Sequence, residues 1–464
     1  MHRLNGADIQ FVYAERSWRH LHTLKVLVVD PSVVPGWSVE HAVADLRARL
    51  PHLDPLRWKL RKVPGRLFHP VWLDVGEVDL DRHVRVVTAP APGDDAALAA
   101  VASAVASTSL PRDRPLWELV VVEGLEEGRV GLVWKIHHAI ADGMASLNLI
   151  RGLLDESPEA AAVAGSVGDP VRADAEPSSR QLVIEAARDL AGLGRELPGM
   201  LARLVRAAVN GTRRKREGGP QPAIAFTTAE TRFNWPLTPN RIWVFRELAL
   251  DEMREVKDVL GGTINDVFLA VTAGALREHL LSHGELPQKS MSAAVPTSIR
   301  QQVTDFPWGN FPSNMFVSLA TDIDDPVERY QAVAASEGAA KAWHDQREHG
   351  LMFEWMNAYP AWVSYTRLLP FLVQKVLRRP SYGLIASNVR GPSETLYHCG
   401  APLVALHSMG PLVQELGLNV TAWSYRDRMS VSLHACREHA PDLDELADRF
   451  PSALEQLRKA AAEA

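Results

Sequence analysis

The stretch VGLVWKIHHAIADG, residues 130–143, begins as a strand and ends as the start of a helix. Along it Val130, Leu132, Trp134, Ile136 and His138 share one parity, and Gly131, Val133, Lys135 and His137 share the other. A strand carried to residue 138 therefore points His138 the same way as a largely apolar face, and His137 elsewhere. After Asp142-Gly143 the apolar spacing changes to Met144, Leu147, Leu149, Ile150 and Leu153-Leu154, the stripe of a helix running to about Asp155. Upstream, 116–122 (LWELVVV) predicts a second strand, joined to 130–138 across Gly124 and Gly128 as a hairpin, and 24–30 (LKVLVVD) predicts a short buried strand.

Beyond this core, residues 156–180 hold Ala, Pro, Gly, Ser and acid with no period, which suits a linker. A helical stripe follows at Leu182, Ala186, Leu190, Leu193, Leu197, Leu201, Leu204 and Ala208, with a bend expected at Pro198, and it ends in Arg213-Arg214-Lys215-Arg216. The second half predicts strands at 241–249, 291–296, 315–320, 383–389, 403–407 and 429–435. Helices are predicted at 251–260, 264–281, 326–347, 361–377 (bent at Pro370) and 442–462. Strands and helices mix in both halves, so the fold class is α/β (α+β) in two layers of similar build. The chain divides into 1–160, a linker or crossover at 161–220 with an amphipathic helix, and 221–464. Its 464 residues are ample for two cores.

Composition narrows the function classes. A formal net charge of -6 gives no reason to expect nucleic acid. Cys399 and Cys436 sit in no CxxC pair, so neither a disulfide framework nor a thiolate zinc site is expected, and a reducing cytosol fits. The N-terminus lacks the apolar run of a secretory signal, and no stretch reaches the roughly 18 apolar residues of a spanning helix. A cytoplasmic protein, peripheral at most on a membrane surface, is the expectation.

The motif carries the chemistry. An HHxxxDG match arises by chance in on the order of one chain per thousand of this size. A histidine at a strand end against an apolar wall is neutral at cytosolic pH and can accept a proton from an alcohol. Asp142 can orient an imidazole, pair with an arginine or cap the helix, and Gly143 leaves room for close approach of a substrate. A single histidine on an apolar face is usually a satisfied core residue; the pair with Asp142 and Gly143 reverses that preference. His138 and Asp142 at a spacing of four also suit a metal, but no third ligand follows at suggestive spacing, so no metal is expected. There is no GxSxG elbow, no catalytic-looking cysteine, no P-loop and no GxGxxG. What fits is direct attack of an alcohol on an activated acyl donor such as a thioester, with oxyanion donors still required.

HHAIADG resembles the HHxxxDG motif of the coenzyme-A-dependent acyltransferase superfamily, which includes chloramphenicol acetyltransferase and nonribosomal peptide condensation domains. The neighbouring segments resemble more narrowly the bacterial wax ester synthase/diacylglycerol acyltransferases. Pro115-Leu116-Trp117 resembles that family's PLW motif, and Asn265-Asp266 its ND motif at the start of a helix. Asp8, Phe11 and Glu15 resemble a DxxFxxxE pattern, and residues 295–300 a VPVSVR-like stretch. Gly309-Asn310 with Ser313 and Met315 is similar to a GNxxSxM segment, and Ser387-Asn388-Val389 with Gly391-Pro392 to an SNVxGP segment. These run in the family's order from residue 8 to beyond 390.

The resemblance implies two chloramphenicol-acetyltransferase-like domains, each a mixed sheet with flanking helices, joined by a crossover with the site in a tunnel between them. It gives His138 the base role beside His137, and treats Asp142 as mainly structural, with Arg300 the candidate partner. It puts Asn265 near the reacting carbonyl as an oxyanion donor, and Asp266 at the helix start. Asn310, Ser387 and Asn388 join Pro115, Leu116 and Trp117 as candidate substrate-binding residues; for that last trio simple strand packing weighs equally with shaping of an acyl pocket. No cofactor is implied beyond acyl-CoA as co-substrate. The partners implied are acyl-CoA, a lipid alcohol (diacylglycerol first, a long-chain alcohol next) and a membrane or lipid-droplet surface.

Departures from the family pattern are Asn5-Gly6 for Ser-Pro, Trp235 after Asn234 where a glycine is common, and Arg390 inside SNVxGP. The latter two bear on substrate preference if they border the tunnel. The stripe at 182–208 with its basic end fits an interfacial helix, against packing on its own domain. The aromatic run at 351–373 suits a core or an acyl-chain wall. Two rival readings stand: a carrier-protein-dependent condensation or polyketide-associated acyltransferase, for which Asp305-Phe306-Pro307-Trp308-Gly309 only partly resembles the late DFGWG-type motif, and a non-catalytic lipid-binding homologue.

Overall fold

The computed structural model describes residues 1–159, 171–216, 223–224, 226–299, 304, 306–345, 349–358, 380–413 and 416–464. In chain order the described strands are β1 His2–Arg3, β2 His22–Val29, β3 Trp58–Arg61, β4 Val71–Asp74, β5 Val84–Thr88, β6 Trp117–Glu123, β7 Val130–His137, β8 Arg241–Ala249, β9 Ser292–Ser298, β10 Pro312–Ser318, β11 Leu384–Val389, β12 Tyr397–His398, β13 Ala401–Met409, β14 Leu418–Tyr425 and β15 Arg428–Cys436. The α-helices are α1 Gly6–Ala14, α2 Val39–Arg49, α3 Asp95–Ala106, α4 Gly143–Leu153, α5 Ser179–Arg216, α6 Leu250–Leu260, α7 Ile264–Ser282, α8 Pro326–Asp345, α9 His349–Ala358 and α10 Leu443–Glu463.

Two six-stranded mixed sheets dominate. One has the order β12-β13-β2-β7-β6-β5, the other β10-β9-β11-β14-β15-β8, and a small sheet β1-β4-β3 stands apart. β2 and β7 are buried at every position, which explains their nearly unbroken apolar sequences. In β7 the expected parity is seen: Leu132, Trp134 and Ile136 enter one core with Trp117 and Trp423, while Val133 enters another with α3. The strand ends at His137, one residue earlier than expected, because Ile140 N–H closes a turn onto the His137 carbonyl at 2.9 Å.

The expected unit 221–464 is interrupted. β12 and β13 leave the second half and complete the first sheet, β13 pairing antiparallel with β2 through Met409↔Leu24, before β14 returns to the second sheet. The 161–220 segment resolves into α5, while 160–170 and 217–222 lie outside the described residues. So do Arg300 and the helix expected at 361–377. α5 runs through Pro198 as one helix. Cys399 and Cys436 are both free.

β14, a central strand, and helices α1 to α3 escaped the sequence reading. In β14 Leu418, Val420, Ala422 and Trp423 share the strand with Asn419 and Thr421, both buried and satisfied: Thr421 Oγ1 donates to Asn419 Oδ1 at 2.6 Å, and Asn419 Nδ2 to the Pro411 carbonyl at 3.0 Å. Buried polar groups paired inside a sheet lower its apparent hydrophobicity without exposing it. No single described helix is long and apolar enough to cross a membrane; α6 and α7 pass together only as a pair bent by 102°, and α7 is core.

Candidate active site

His138 lies just past β7, its N–H still bonded to the Leu21 carbonyl at 2.9 Å as if the strand continued. The side chain is half-buried, and Nδ1 is buried with no hydrogen-bond partner among the described residues. Burial pushes its pKa down to about 4, Asp142 pulling upward and Lys25 adding to the depression. The imidazole is therefore neutral across the cytosolic range. His137 is fully buried. Its Nδ1 accepts the Ala139 N–H at 3.1 Å, so the neutral ring carries its proton on Nε2, which faces Glu15 Oε2 at 3.7 Å. Glu15 is also held by Arg112. Burial works against that carboxylate, but His137 and Arg112 outweigh it and bring its pKa to about 2. The two neighbouring histidines are thus separated: His137 is anchored, His138 is presented.

The helix α1 is built to touch both. Asn5 caps it, accepting the Asp8 N–H at 2.8 Å. Phe11, three residues after Asp8, stacks on the His138 ring with centroids 4.3 Å apart and planes 19° off parallel. Glu15, four further, meets His137. The spacing of Asp8, Phe11 and Glu15 is that of one helix face. Gly6 is required by a close approach, since a Cβ there would stand 1.9 Å from the Met356 carbonyl oxygen of α9. The Asn5-Gly6 departure therefore has a structural role, as cap and as contact point.

The second half closes over the motif. Gly309 bridges Ala141, and its N–H donates to the Ile140 carbonyl at 3.1 Å. Asn310, fully buried, donates from Nδ2 to the His138 carbonyl and to Asp8 Oδ1 at 2.9 Å; its backbone N–H also reaches Asp8 Oδ1 at 2.8 Å. Asp142 caps α4, Oδ1 accepting the Ala145 N–H at 2.9 Å, while Oδ2 accepts the Phe311 N–H at 3.3 Å. Arg300, its expected partner, lies outside the described residues. A Cβ at Gly143 would come 3.2 Å from Val389 Cγ2, so the glycine admits the end of β11 rather than open space.

That contact leads to α7. Asn388, next to Val389, donates from Nδ2 to Asn265 Oδ1 at 3.2 Å, and Asn265 Nδ2 donates to Glu337 Oε1 at 3.0 Å. Asp266 is the third helical residue of a capping box: its Oδ2 accepts the Thr263 N–H and hydroxyl, both at 2.7 Å, and Thr263 Oγ1 accepts its N–H at 3.2 Å. Burial and the Asp266 carboxylate together push the Glu337 carboxyl upward, against the pull of the Asn265 amide. Ser387 sits in β11 opposite Thr421.

Comparison with known proteins gives the family of the chain. The family model of the wax ester synthase/diacylglycerol acyltransferase catalytic domain matches residues 4–268, and that family's C-terminal domain matches 308–458. The chain belongs to the wax ester synthase/diacylglycerol acyltransferase family. A Mycobacterium tuberculosis relative named as a diacylglycerol O-acyltransferase is 34% identical over 98% of this chain and 90% of its own length. Another of that name and species is 35% identical over 99% and 97%. The wax ester synthase/diacylglycerol acyltransferase of Marinobacter aquaeolei VT8 superimposes with a TM-score of 0.72 at 24% identity, covering 100% of both chains. The first condensation domain of the calcium-dependent antibiotic synthetase shares the fold with a TM-score of 0.60 at 16% identity, over 100% of this chain and 97% of its own.

In this acyltransferase the Pro115-Leu116-Trp117 segment is core. Leu116 and Trp117 are fully buried, Trp117 Nε1 donates to the Leu56 carbonyl at 2.7 Å, and the Leu116 carbonyl accepts the His137 N–H at 2.9 Å. Trp235 is half-exposed and lies edge-on to His439, and Arg390 is exposed. Phe353 of α9 packs on Phe311 with centroids 5.0 Å apart; from residue 359 the aromatic run lies outside the described residues.

Two residues of this family member were not singled out from sequence. Glu337 gave no local signal, being 72 positions from Asn265. Lys25 did: it is a lysine inside the wholly buried strand HTLKVLVV. It pairs with Trp134 across β2 and β7, donates to Ser408 Oγ at 2.6 Å and Thr23 Oγ1 at 3.2 Å, and lies 4.6 Å from the Trp423 ring centre. Burial pushes its ammonium down to about 7, with Asp142 opposing.

Proposed function

We propose that this enzyme transfers a long-chain acyl group from acyl-CoA to diacylglycerol, and to a long-chain alcohol as second acceptor, with His138 as general base. One observation carries the reading: of two adjacent histidines, His137 is fully buried with Nδ1 taken by the Ala139 N–H, and His138 is held neutral against Phe11 with its backbone clamped by Asn310. A neutral, oriented imidazole takes the hydroxyl proton, the alkoxide attacks the thioester carbonyl, and the imidazolium returns the proton to the departing thiolate. A carboxamide has two N–H donors, and Glu337 accounts for one at Asn265, so the other suits the oxyanion. No cofactor enters this scheme. The names of the mycobacterial relatives favour diacylglycerol over the alcohol.

The lipid acceptor places the enzyme at a membrane or droplet face in the cytoplasm. In α5, Leu182 and Ala186 are buried with Val63, Phe68, Val71 and Leu73, so the first half of the stripe packs on the protein. Further along, Leu201, Leu204 and Val205 are exposed, ahead of the basic residues 213–216. That second half is the surface we assign to lipid.

The test is purified protein with palmitoyl-CoA and either diacylglycerol or hexadecanol, following thiol release and the lipid product. His138→Ala is expected to fold and to lose about a hundredfold or more in turnover. Near-normal turnover in that variant sinks the base assignment, and absence of free thiol with every acceptor points to a lipid-binding homologue.

A further inference from the structure

We propose that His279, His283 and Asp442 form a binding site for a divalent transition-metal ion of the zinc class. The site is separate from the acyl-transfer centre, since His279 lies fourteen positions beyond Asn265 on α7, about 21 Å at the helical rise.

His279 and His283 stand four apart at the end of α7, so both rings lie on one face, with centroids 4.5 Å apart. His283 Nδ1 lies 2.8 Å from the His279 carbonyl oxygen, which can only accept; the ring proton is therefore on Nδ1 and Nε2 offers a lone pair. This is the arrangement in which a backbone carbonyl orients a metal-binding imidazole. His283 Nε2 faces Asp442 Oδ2 at 3.3 Å. His279 Nε2 faces the same oxygen at 3.2 Å and lies 3.4 Å from Arg232 Nη2, a group that can only donate. Three atoms able to serve as metal ligands thus converge, all within 4.8 Å of one another. Either a proton on an imidazole nitrogen or a metal ion can hold them together.

The distances suit a metal. Two ligands bound at about 2.0–2.2 Å to a tetrahedral zinc ion stand about 3.4 Å apart. The charges suit one too. Asp442, Glu285 and Glu445 surround the site against the single guanidinium of Arg232, which holds Asp442 Oδ1 at 3.0 Å and Glu285 Oε2 at 2.9 Å. Asp442 Oδ2 is left for the ion while Oδ1 stays oriented, and the Arg232 contact to His279 gives way on binding as Glu285 retains the guanidinium. Asp442 occupies the N-cap position of α10, yet its side chain makes no cap hydrogen bond; it turns to α7 instead. Glu445 Oε2, 3.9 Å from His283 Nε2, is within reach of a fourth position, and a third of the His283 side chain is exposed, giving the ion a way in. A bound ion would pin the end of α7 to the start of α10.

The experiment is titration of Zn2+ alone into untagged, metal-stripped full-length protein near neutral pH, read by calorimetry. One equivalent is expected to bind, and His283→Ala to weaken it at least about tenfold. Co2+ in place of Zn2+ is expected to give the visible absorption of a four-coordinate site, lost in the same variant. His283 ends its helix partly exposed, so the variant is expected to fold, checked by circular dichroism; Asp442→Asn, which preserves size, is the second arm. No stoichiometric binding to the wild type overturns the proposal, since a proton then fills the gap. Binding that both variants leave unchanged overturns it as well, and moves the ion elsewhere, Asp45, His398 and Cys399 being the other described group within reach of one another.

Discussion

Asn310 hydrogen-bonds the backbone carbonyl of His138 across 172 positions of sequence. The same carboxamide donates to Asp8, whose own N–H is capped by Asn5, and Asn5 Nδ2 returns to the Asn310 carbonyl at 3.3 Å. The first helix, the histidine loop and a segment of the second half therefore form one buried network. His138, the base proposed above, is held by these tertiary contacts as well as by its backbone bond to Leu21.

Asn310→Ala removes the side-chain donor of the His138 carbonyl and one donor of Asp8 Oδ1, which keeps the backbone N–H of residue 310. Two hydrogen bonds, one to a carboxylate, put the expected loss at about 3 kcal/mol. The urea midpoint should fall accordingly, and turnover of the folded fraction should fall more than KM rises, because the loop that carries the base loosens. A midpoint equal to the wild type would show that the clamp contributes nothing.

Phe11→Leu removes the ring stacked on His138 while keeping a residue that α1 can accommodate. The stack excludes water from the imidazole, and burial is the main cause of its depressed pKa. Admitting water moves that pKa up from about 4 toward its ordinary value of about 6.5. The base works when unprotonated, so the acidic limb of kcat/KM is expected to shift to higher pH, with turnover near neutrality lowered by about tenfold through lost orientation. An acidic limb that does not move contradicts this account of His138.

Residues 130–143 pointed to the candidate site because its signal is local: strand parity, a turn and a helix start all lie within fourteen residues. The DxxFxxxE spacing was visible as well, but only the fold shows that Phe11 touches one histidine and Glu15 the other. What sequence could not carry is the pairing of distant groups, as with Asn310 on His138 or Glu337 on Asn265. The same limit hid the exchange of β13 into the first sheet: its apolar residues read as a strand, yet register with β2 is set by neither strand alone. His279 and His283 also stood at helical spacing in plain view, while Asp442 joins them only through the docking of α10 on α7.

Acid should unfold this protein from the histidine side. Burial holds His407 and His434 near 3 and His20, His83 and His398 near 4, and it drives His22 well below its ordinary value. In the unfolded chain each titrates at about 6.5. Between these values the unfolded state binds protons that the native state refuses, so stability falls as pH falls through that window. Each such histidine contributes a slope of up to about 1.4 kcal/mol per pH unit. Glu15 acts in the same direction at lower pH, since its stabilisation is lost as it is protonated toward about 2. Urea midpoints should drop steeply below about pH 6.5; equal midpoints at neutrality and near pH 5 would sink the argument.

Liposome flotation separates the two halves of α5. Leu182 and Ala186 already belong to a protein core, so they cannot serve a membrane without local unfolding. Leu201, Leu204 and Val205 are exposed and can insert, and each basic residue of 213–216 adds about 1 kcal/mol near an anionic surface. Neutralising Arg213, Arg214, Lys215 and Arg216 is expected to abolish binding to anionic vesicles at moderate salt, as raising salt does for the wild type. Replacing Leu201, Leu204 and Val205 with serine is expected to weaken flotation at any salt, because apolar insertion is not screened. Turnover on a dispersed short-chain alcohol should survive both changes, since neither touches His138, while turnover on vesicle-borne diacylglycerol should fall with binding. If both variants float like the wild type, α5 is wholly a packing helix and lipid must reach His138 from another face.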